Sequence, residues 1–184
     1  MVDLFSNIIR GFGLSASAGL NAYLPLLIVA LMARFTDLIH LNAPFDTLTN
    51  GWVMGVLAVL LLIETLADKL PVVHTINDAI QTIVRPAAGA ILFAASTNVV
   101  NGIHPVLALI CGILVAGTIH VAKTTARPVL SATTGGVANP VVSTAEDVVS
   151  ATVSVLSIVV PVLALALILV GFFLILRTLR RVRA

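Results

Sequence analysis

The sequence predicts an all-α integral membrane protein, on three observations. Of its 184 residues, 59% are hydrophobic and only 10% are charged, against about 25% charged in ordinary soluble domains. The mean hydropathy is +1.14. Several apolar stretches approach the roughly 20 residues that cross a bilayer as a helix. A soluble fold of this size cannot hide so much apolar surface, because most of its residues touch the exterior. The composition therefore excludes an ordinary cytosolic enzyme and a disordered chain. A net charge of +2, with cations scattered except at the C-terminus, excludes a nucleic-acid partner. The single cysteine, Cys111, excludes a disulfide framework and a cysteine-based zinc site.

The elements follow in chain order as five to six membrane segments in one transmembrane domain, residues 1–184. Residues 4–20 are apolar but contain Asn7 and Arg10 and dissolve into Ser15-Ala16-Ser17-Ala18-Gly19. We expect a half-helix or re-entrant segment there. The glycine-rich part from Gly11 to Gly19 would be unwound backbone lining a cavity, the one place where irregular backbone persists at membrane depth. Further spans are expected at 22–33, 52–67, 79–97 (with Arg85-Pro86 inside) and 105–122. The last stretch, 148–176, is too long for the bilayer alone at 1.5 Å per residue. It is expected to bend near Pro161 and to protrude from the membrane. Asp3 and Arg10 argue against a signal peptide at the N-terminus. The tail 177–184 carries Arg177, Arg180, Arg181 and Arg183, which places it on the cytoplasmic side of the inner (plasma) membrane. With six segments the N-terminus and the loop 36–50 are also cytoplasmic, and the loops 68–78 and 123–143 face outward.

A faint internal repeat joins residues 5–71 to residues 79–176. Ile8-Ile9-Arg10 leads through small residues to Asn21-x-x-x-Pro25, and Ile83-Val84-Arg85 leads to Asn101-x-x-x-Pro105. Three segments per half is an odd number, so the two repeats would be inverted, with broken or re-entrant helices near the midplane, as in many secondary transporters. Chance recurrence in a low-diversity apolar chain is the competing explanation. Gly51-x-x-x-Gly55 reads as close helix packing.

Charges inside spans are costly and therefore mark function. Arg10 and Arg85 occupy equivalent places in the two halves, and their guanidiniums could converge on an anion, which a guanidinium grips in a bidentate way. Snorkelling to an interface competes for Arg10. Glu64 and Asp68 are four apart and share one helix face. As membrane-depth acids they are the expected coupling groups, with pairing of Glu64 to Arg85 as the strongest competitor. Asn21, Asn98 and Asn101 stand at helix starts, where unpaired N–H groups can cradle an anion or simply be capped. Lys123 and Arg127, one turn apart, would form a cationic patch that collects anions, on a loop that re-enters or hinges at Gly135-Gly136. The four histidines follow no metal-ligand spacing, so no metal or other cofactor is expected. No nucleophile elbow or clustered-aspartate motif occurs, and we do not expect an enzyme.

The stretch from Ser15-Ala16-Ser17-Ala18-Gly19-Leu20-Asn21-Ala22-Tyr23-Leu24-Pro25-Leu26-Leu27, with Glu64-Thr65-Leu66-Ala67-Asp68-Lys69-Leu70-Pro71 and Asp78, resembles a family of small bacterial membrane proteins known only as a domain of unknown function. The resemblance spans nearly the whole chain. It implies membrane localisation and no activity. His74 departs from it, in a loop expected to be more acidic.

The expectation is a small transporter or flippase for an anionic solute or a lipid-linked phosphate. Arg10, Asn21, Arg85, Asn98 and Asn101 would bind it, Glu64 and Asp68 would couple it, and Lys123 and Arg127 would gather it. The alternatives are an oligomeric channel for ions or small solutes and a non-transporting lipid-binding scaffold. Expected partners are membrane lipids and the small anion. A homo-oligomer is compatible with the sequence.

Overall fold

The computed structural model describes residues 2–67, 71–97, 103–135, 137–161, 163, 169–171 and 173. Among them lie α1 (Val2–Leu20), α2 (Tyr23–Phe35), a 3-10 turn (Phe45–Thr49), α3 (Gly51–Ala67), α4 (Pro71–Thr97), α5 (Pro105–Thr134) and α6 (Asn139–Val159), and no strand. Among the described residues, three segments are long and apolar enough to cross a bilayer: Asn77–Thr97, Pro105–Thr134 and Asn139–Val159. The outward faces carry unshielded apolar side chains, including Val106, Ile110 and Leu114 on α5, Val141 and Val148 on α6, and Val59 and Ile63 on α3. Trp52, at the start of α3, is 87% exposed. So large an apolar exterior belongs against lipid. This is an all-helical membrane protein.

The helix at the centre is rich in small residues. α1 packs against α4, α5 and α6, with Leu14, Ser15, Ser17 and Ala18 fully enclosed. Facing protein on most sides, it needs small residues more than apolar bulk. Gly11 lies against the Phe93 ring, and a Cβ on Gly19 would come within 2.6 Å of the Ala116 carbonyl oxygen. Helices α4 and α5 approach equally closely, since a Cβ on Gly89 would stand 2.7 Å from the Gly112 carbonyl oxygen. Close backbone approach through small residues is how helices associate where the hydrophobic effect cannot drive them together. Phe12 meets Phe93 edge-on, with centroids 5.1 Å apart. A bonded contact from Ser15 Oγ to the Gly89 carbonyl, at 2.8 Å, fixes the antiparallel register of α1 on α4.

Several expectations are corrected here. Residues 4–20 lie within one continuous helix, α1, and the Gly11–Gly19 run is not unwound. Its small residues are consumed by packing. The interruption falls later, at Asn21–Ala22, between α1 and α2. The stretch 123–134 is the last part of α5, not a loop; Gly135 at φ 60 caps it in the left-handed conformation that glycine tolerates without strain. The supposed loop 68–78 is helical from Pro71 onward. Pro86 and Pro128 lie inside α4 and α5 without ending either. The last stretch does break where its proline predicts: α6 ends at Val159, and Val160 leaves the helical region at φ −137, ψ 77 just before Pro161.

Candidate functional site

The polar interior is built by helical spacing. On α4, Asp78, Gln81, Thr82 and Arg85 recur at intervals of three and four and share a face. On α5, His120, Lys123 and Arg127 do the same. The two faces meet in the bundle, and α3, α6 and the α1–α2 junction close around them.

Arg85 is fully buried and is the largest enclosed side chain among the described residues. Its Nη2 donates to Glu64 Oε1 at 2.9 Å, where the two side chains are 0% and 1% exposed. Its Nη1 donates to His120 Nδ1 at 3.1 Å. Arginine can only donate, so Nδ1 accepts and the imidazole proton resides on Nε2. That proton points to Thr82 Oγ1 at 3.1 Å, and the Thr82 hydroxyl passes its own to the Asp78 carbonyl at 2.8 Å. Beside this chain, Gln81 is 2% exposed, and its Oε1 receives no donor among the described residues.

A second group lies at the interruption between α1 and α2. Lys123 Nζ donates to the Leu20 carbonyl at 2.9 Å and pairs with Glu146 Oε2 at 2.8 Å. A cation at a helix C-terminus satisfies an orphan carbonyl and opposes the dipole, so Lys123 ends α1 where it does. Arg127 shares Glu146 Oε2 at 2.7 Å and lies 3.9 Å from Asp78 Oδ1. Asn21 ties the next helix on: its Oδ1 accepts from Leu24 N at 3.0 Å, and its Nδ2 donates to Asp147 Oδ1 at 2.9 Å. Further along, Ser17 Oγ is 2.7 Å from the Ser150 carbonyl and 2.6 Å from Ser154 Oγ. Taken together, the carboxylates of Glu64, Asp78, Glu146 and Asp147 surround the cations Arg85, Lys123 and Arg127 in the interior.

Residues 8–181 match the family described as Domain of unknown function (DUF4126). The chain belongs to this family. No similar curated protein and no similar solved structure was found. The match takes in the stretch from Ser15 to Leu27, which the fold places along α1, its interruption and the start of α2.

Against the residues singled out from this DUF4126 sequence, the placement is as follows. Arg85 and Glu64 come together, as an ion pair. Arg10 does not join them: its Nη2 donates to the Ile158 carbonyl at 3.3 Å, near the end of α6. The register that puts Gly11 on Phe93 and Ser15 on Gly89 sets Arg85 level with the end of α1. The two arginines are therefore about nine residues apart along the helix pair, or ~13 Å at 1.5 Å per residue, too far for one small anion to touch both. Asn21 caps α2 and holds Asp147 rather than standing open. Lys123 and Arg127 are bound to Glu146 inside the bundle and form no exposed patch. Asp68, Asn98 and Asn101 lie outside the described residues, as does the arginine tail.

Reading the sequence for function missed His120, Gln81, Glu146 and Asp147. The signal was present in α6, where Ser143, Glu146, Asp147, Ser150, Ser154 and Ser157 recur at helical spacing along an otherwise apolar helix. Among the described residues no group of three His, Cys, Asp or Glu side chains is placed to hold a metal ion.

Proposed function

We propose that this protein is a small secondary transporter for an anionic solute or a lipid-linked phosphate, with Arg85 as the anion-binding cation and Glu64 as the coupling acid. The observation that carries the reading is the helix interruption at Asn21–Ala22, placed among the buried ionisable side chains of the membrane-spanning helices α4 to α6. Interrupted helices with charged groups beside the break are the recurrent form of substrate and ion sites in transporters. Ionisable side chains at that depth are retained for a purpose, because burying them is costly. Because each interior cation already faces an acid, an anion enters only by taking a carboxylate's place.

The inverted repeat is part of the same proposal, as α1–α3 against α4–α6. It is supported by Arg10 and Arg85 each falling inside the first helix of its half, and by Pro25 and Pro105 each falling at the start of the second. The packing is unequal, however: α4 and α5 run in contact along their length, while α1 and α2 touch little. We also propose residence in the inner membrane with the arginine tail in the cytoplasm.

The test is uptake into proteoliposomes holding the purified full chain, with radiolabelled phosphate, carboxylates and a polyprenyl phosphate offered across an imposed pH gradient. The proposal expects uptake of at least one anion that Arg85→Gln abolishes. Absence of uptake for the whole panel, or uptake unchanged in Arg85→Gln, refutes it. A steady ion conductance in place of saturable uptake would identify a channel.

A further inference from the structure

We infer that Arg10, together with Asn7, binds the phosphate of an anionic phospholipid in the leaflet where α6 ends. The inference stands apart from the transporter reading, since the register of α1 on α4 keeps Arg10 well away from Arg85.

Arg10 is answered by the protein less completely than the interior cations are. Arg85 pairs with Glu64, and Lys123 and Arg127 pair with Glu146. Among the described residues, Arg10 has no acidic partner. Its Nη2 donates to the Ile158 carbonyl at 3.3 Å, and its Nε is buried without an acceptor. A half-buried guanidinium that no acid balances is costly at membrane depth, and an unmet donor adds to the cost. The bond to Ile158 does cap the end of α6. It occupies a single N–H, however, and the helix end offsets only part of the charge.

Depth identifies what answers the remainder. Gly11 lies on Phe93, four residues before α4 ends at Thr97. Ala108, clustered with Phe93 and Ala94, comes three residues after α5 begins at Pro105. Ile158 is the last residue but one of α6. At 1.5 Å per residue, Arg10 therefore lies within ~6 Å of these helix ends, at one rim of the bundle. For spanning helices that rim is the headgroup level of one leaflet.

The same face of α1 supplies a second donor. Asn7, Arg10, Leu14, Ser17 and Asn21 recur at intervals of three and four. Asn21 bonds Asp147, Ser17 bonds Ser150 and Arg10 bonds Ile158, so this stripe faces α6 in antiparallel register. Asn7 continues it one turn further, level with Val160 and Pro161, where α6 has stopped. Exposure follows the register: Leu14 and Ser17 are enclosed, whereas Arg10 and Asn7 are half-buried. The Asn7 amide has no protein partner among the described residues. Val159, Val160 and Leu163 are exposed around the break and offer apolar surface to acyl chains.

A phosphodiester matches these donors. Its non-bridging oxygens suit the parallel N–H groups of a guanidinium, and the amide one turn away adds a further bond. Its single negative charge balances Arg10. A headgroup without an ammonium leaves that balance intact, so phosphatidylglycerol is preferred to phosphatidylcholine. The carbonyl end of α6 alone would repel an anion, so the site depends on the charge of Arg10.

The experiment is native mass spectrometry of the purified full chain in micelles supplied with equal amounts of the two lipids. Wild type should retain phosphatidylglycerol about fivefold better, the effect of about one basic side chain at an anionic lipid surface. Arg10→Gln keeps an N–H for the Ile158 carbonyl but no charge, and should lose the preference; a role in capping alone leaves it unchanged. Asn7→Leu should cut the preference about threefold, and it carries the test if Arg10→Gln fails to fold. Arg34→Gln, at an exposed cation on α2, should leave the preference intact. No preference in wild type, an unchanged one in Arg10→Gln or Asn7→Leu, or an equal loss in Arg34→Gln overturns the inference. Displacement of the bound lipid by dimethyl phosphate would assign the site to a free anion and overturn the lipid assignment.

Discussion

Replacing Arg85 with methionine should be among the most damaging single substitutions in the chain, and replacing Glu64 in the same molecule should restore much of what is lost. Arg85→Met takes the guanidinium away from the Glu64 carboxylate, which is 1% exposed. It also removes the donor to His120 Nδ1. Breaking a buried pair by deleting one member costs about 3–5 kcal/mol, whereas replacing both by apolar groups of similar volume is often close to neutral. No solvent discount applies, because neither side chain reaches water or lipid. At 1.4 kcal/mol per factor of ten, the single change weakens the folded state roughly 140- to 4000-fold. The double variant Glu64→Leu/Arg85→Met should lose about 2 kcal/mol or less, which makes the coupling strongly non-additive. Reversible unfolding of the four proteins of this cycle in mixed micelles measures both quantities. If Arg85→Met costs under about 1 kcal/mol, or the two changes simply add, then the pair is not the buried, mutually dependent unit described above.

Other substitutions separate the remaining contacts. Gly89→Leu should block the α4–α5 approach, where a Cβ already falls 2.7 Å from the Gly112 carbonyl oxygen; a loss of about 1–3 kcal/mol is expected by thermal unfolding, while Gly55→Leu, with open space around it, should change little. Asn21→Ala should cost about 1–2 kcal/mol by removing the cap on α2 together with a donor to Asp147, and Asn21→Asp, which keeps the cap but sets two carboxylates together, should be worse in the same unfolding assay. Glu146→Gln withdraws the shared charge from Lys123 and Arg127 and should destabilise by several times more than Asp46→Asn on the exposed 3-10 turn, where about 0–1 kcal/mol is expected.

The membrane class was legible because composition constrains solvent more than shape. The span expected at 105–122 reappears within α5, the stretch 52–67 reappears as the shorter apolar helix α3, and the stop before Pro161 reappears at the end of α6. The pairing of Glu64 with Arg85 was visible as an alternative, since opposite charges set in apolar helices gain by pairing. What failed were local readings of residues whose environment is set by distant helices. Ser15, Ser17 and Gly19 look like loop formers until α4, α5 and α6 surround them; in that setting their small size permits contact, and their hydroxyls bond across helices. Lys123 and Arg127 look solvated in a window of Thr, Ala and Ser, but Glu146 is 19 residues beyond Arg127, and no local pattern joins them. The helix break could not be placed by glycine content, because Asn21, Lys123 and Asp147 together decide it.

The central position of α1 has a consequence for biogenesis. Its enclosing neighbours are α4, α5 and α6, and its contacts with Ser150, Ser154 and Ile158 join the first eighth of the chain to its final fifth. At 5–20 residues per second of synthesis, the first helix leaves the ribosome on the order of ten seconds before those partners exist. During that interval a weakly apolar segment carrying Arg10, Ser15 and Ser17 has no protein to lie against. The nascent chain therefore needs either an insertase that shelters this segment or a second insertion step that waits for α6, and a truncation ending before residue 150 should leave the N-terminal segment open to protease.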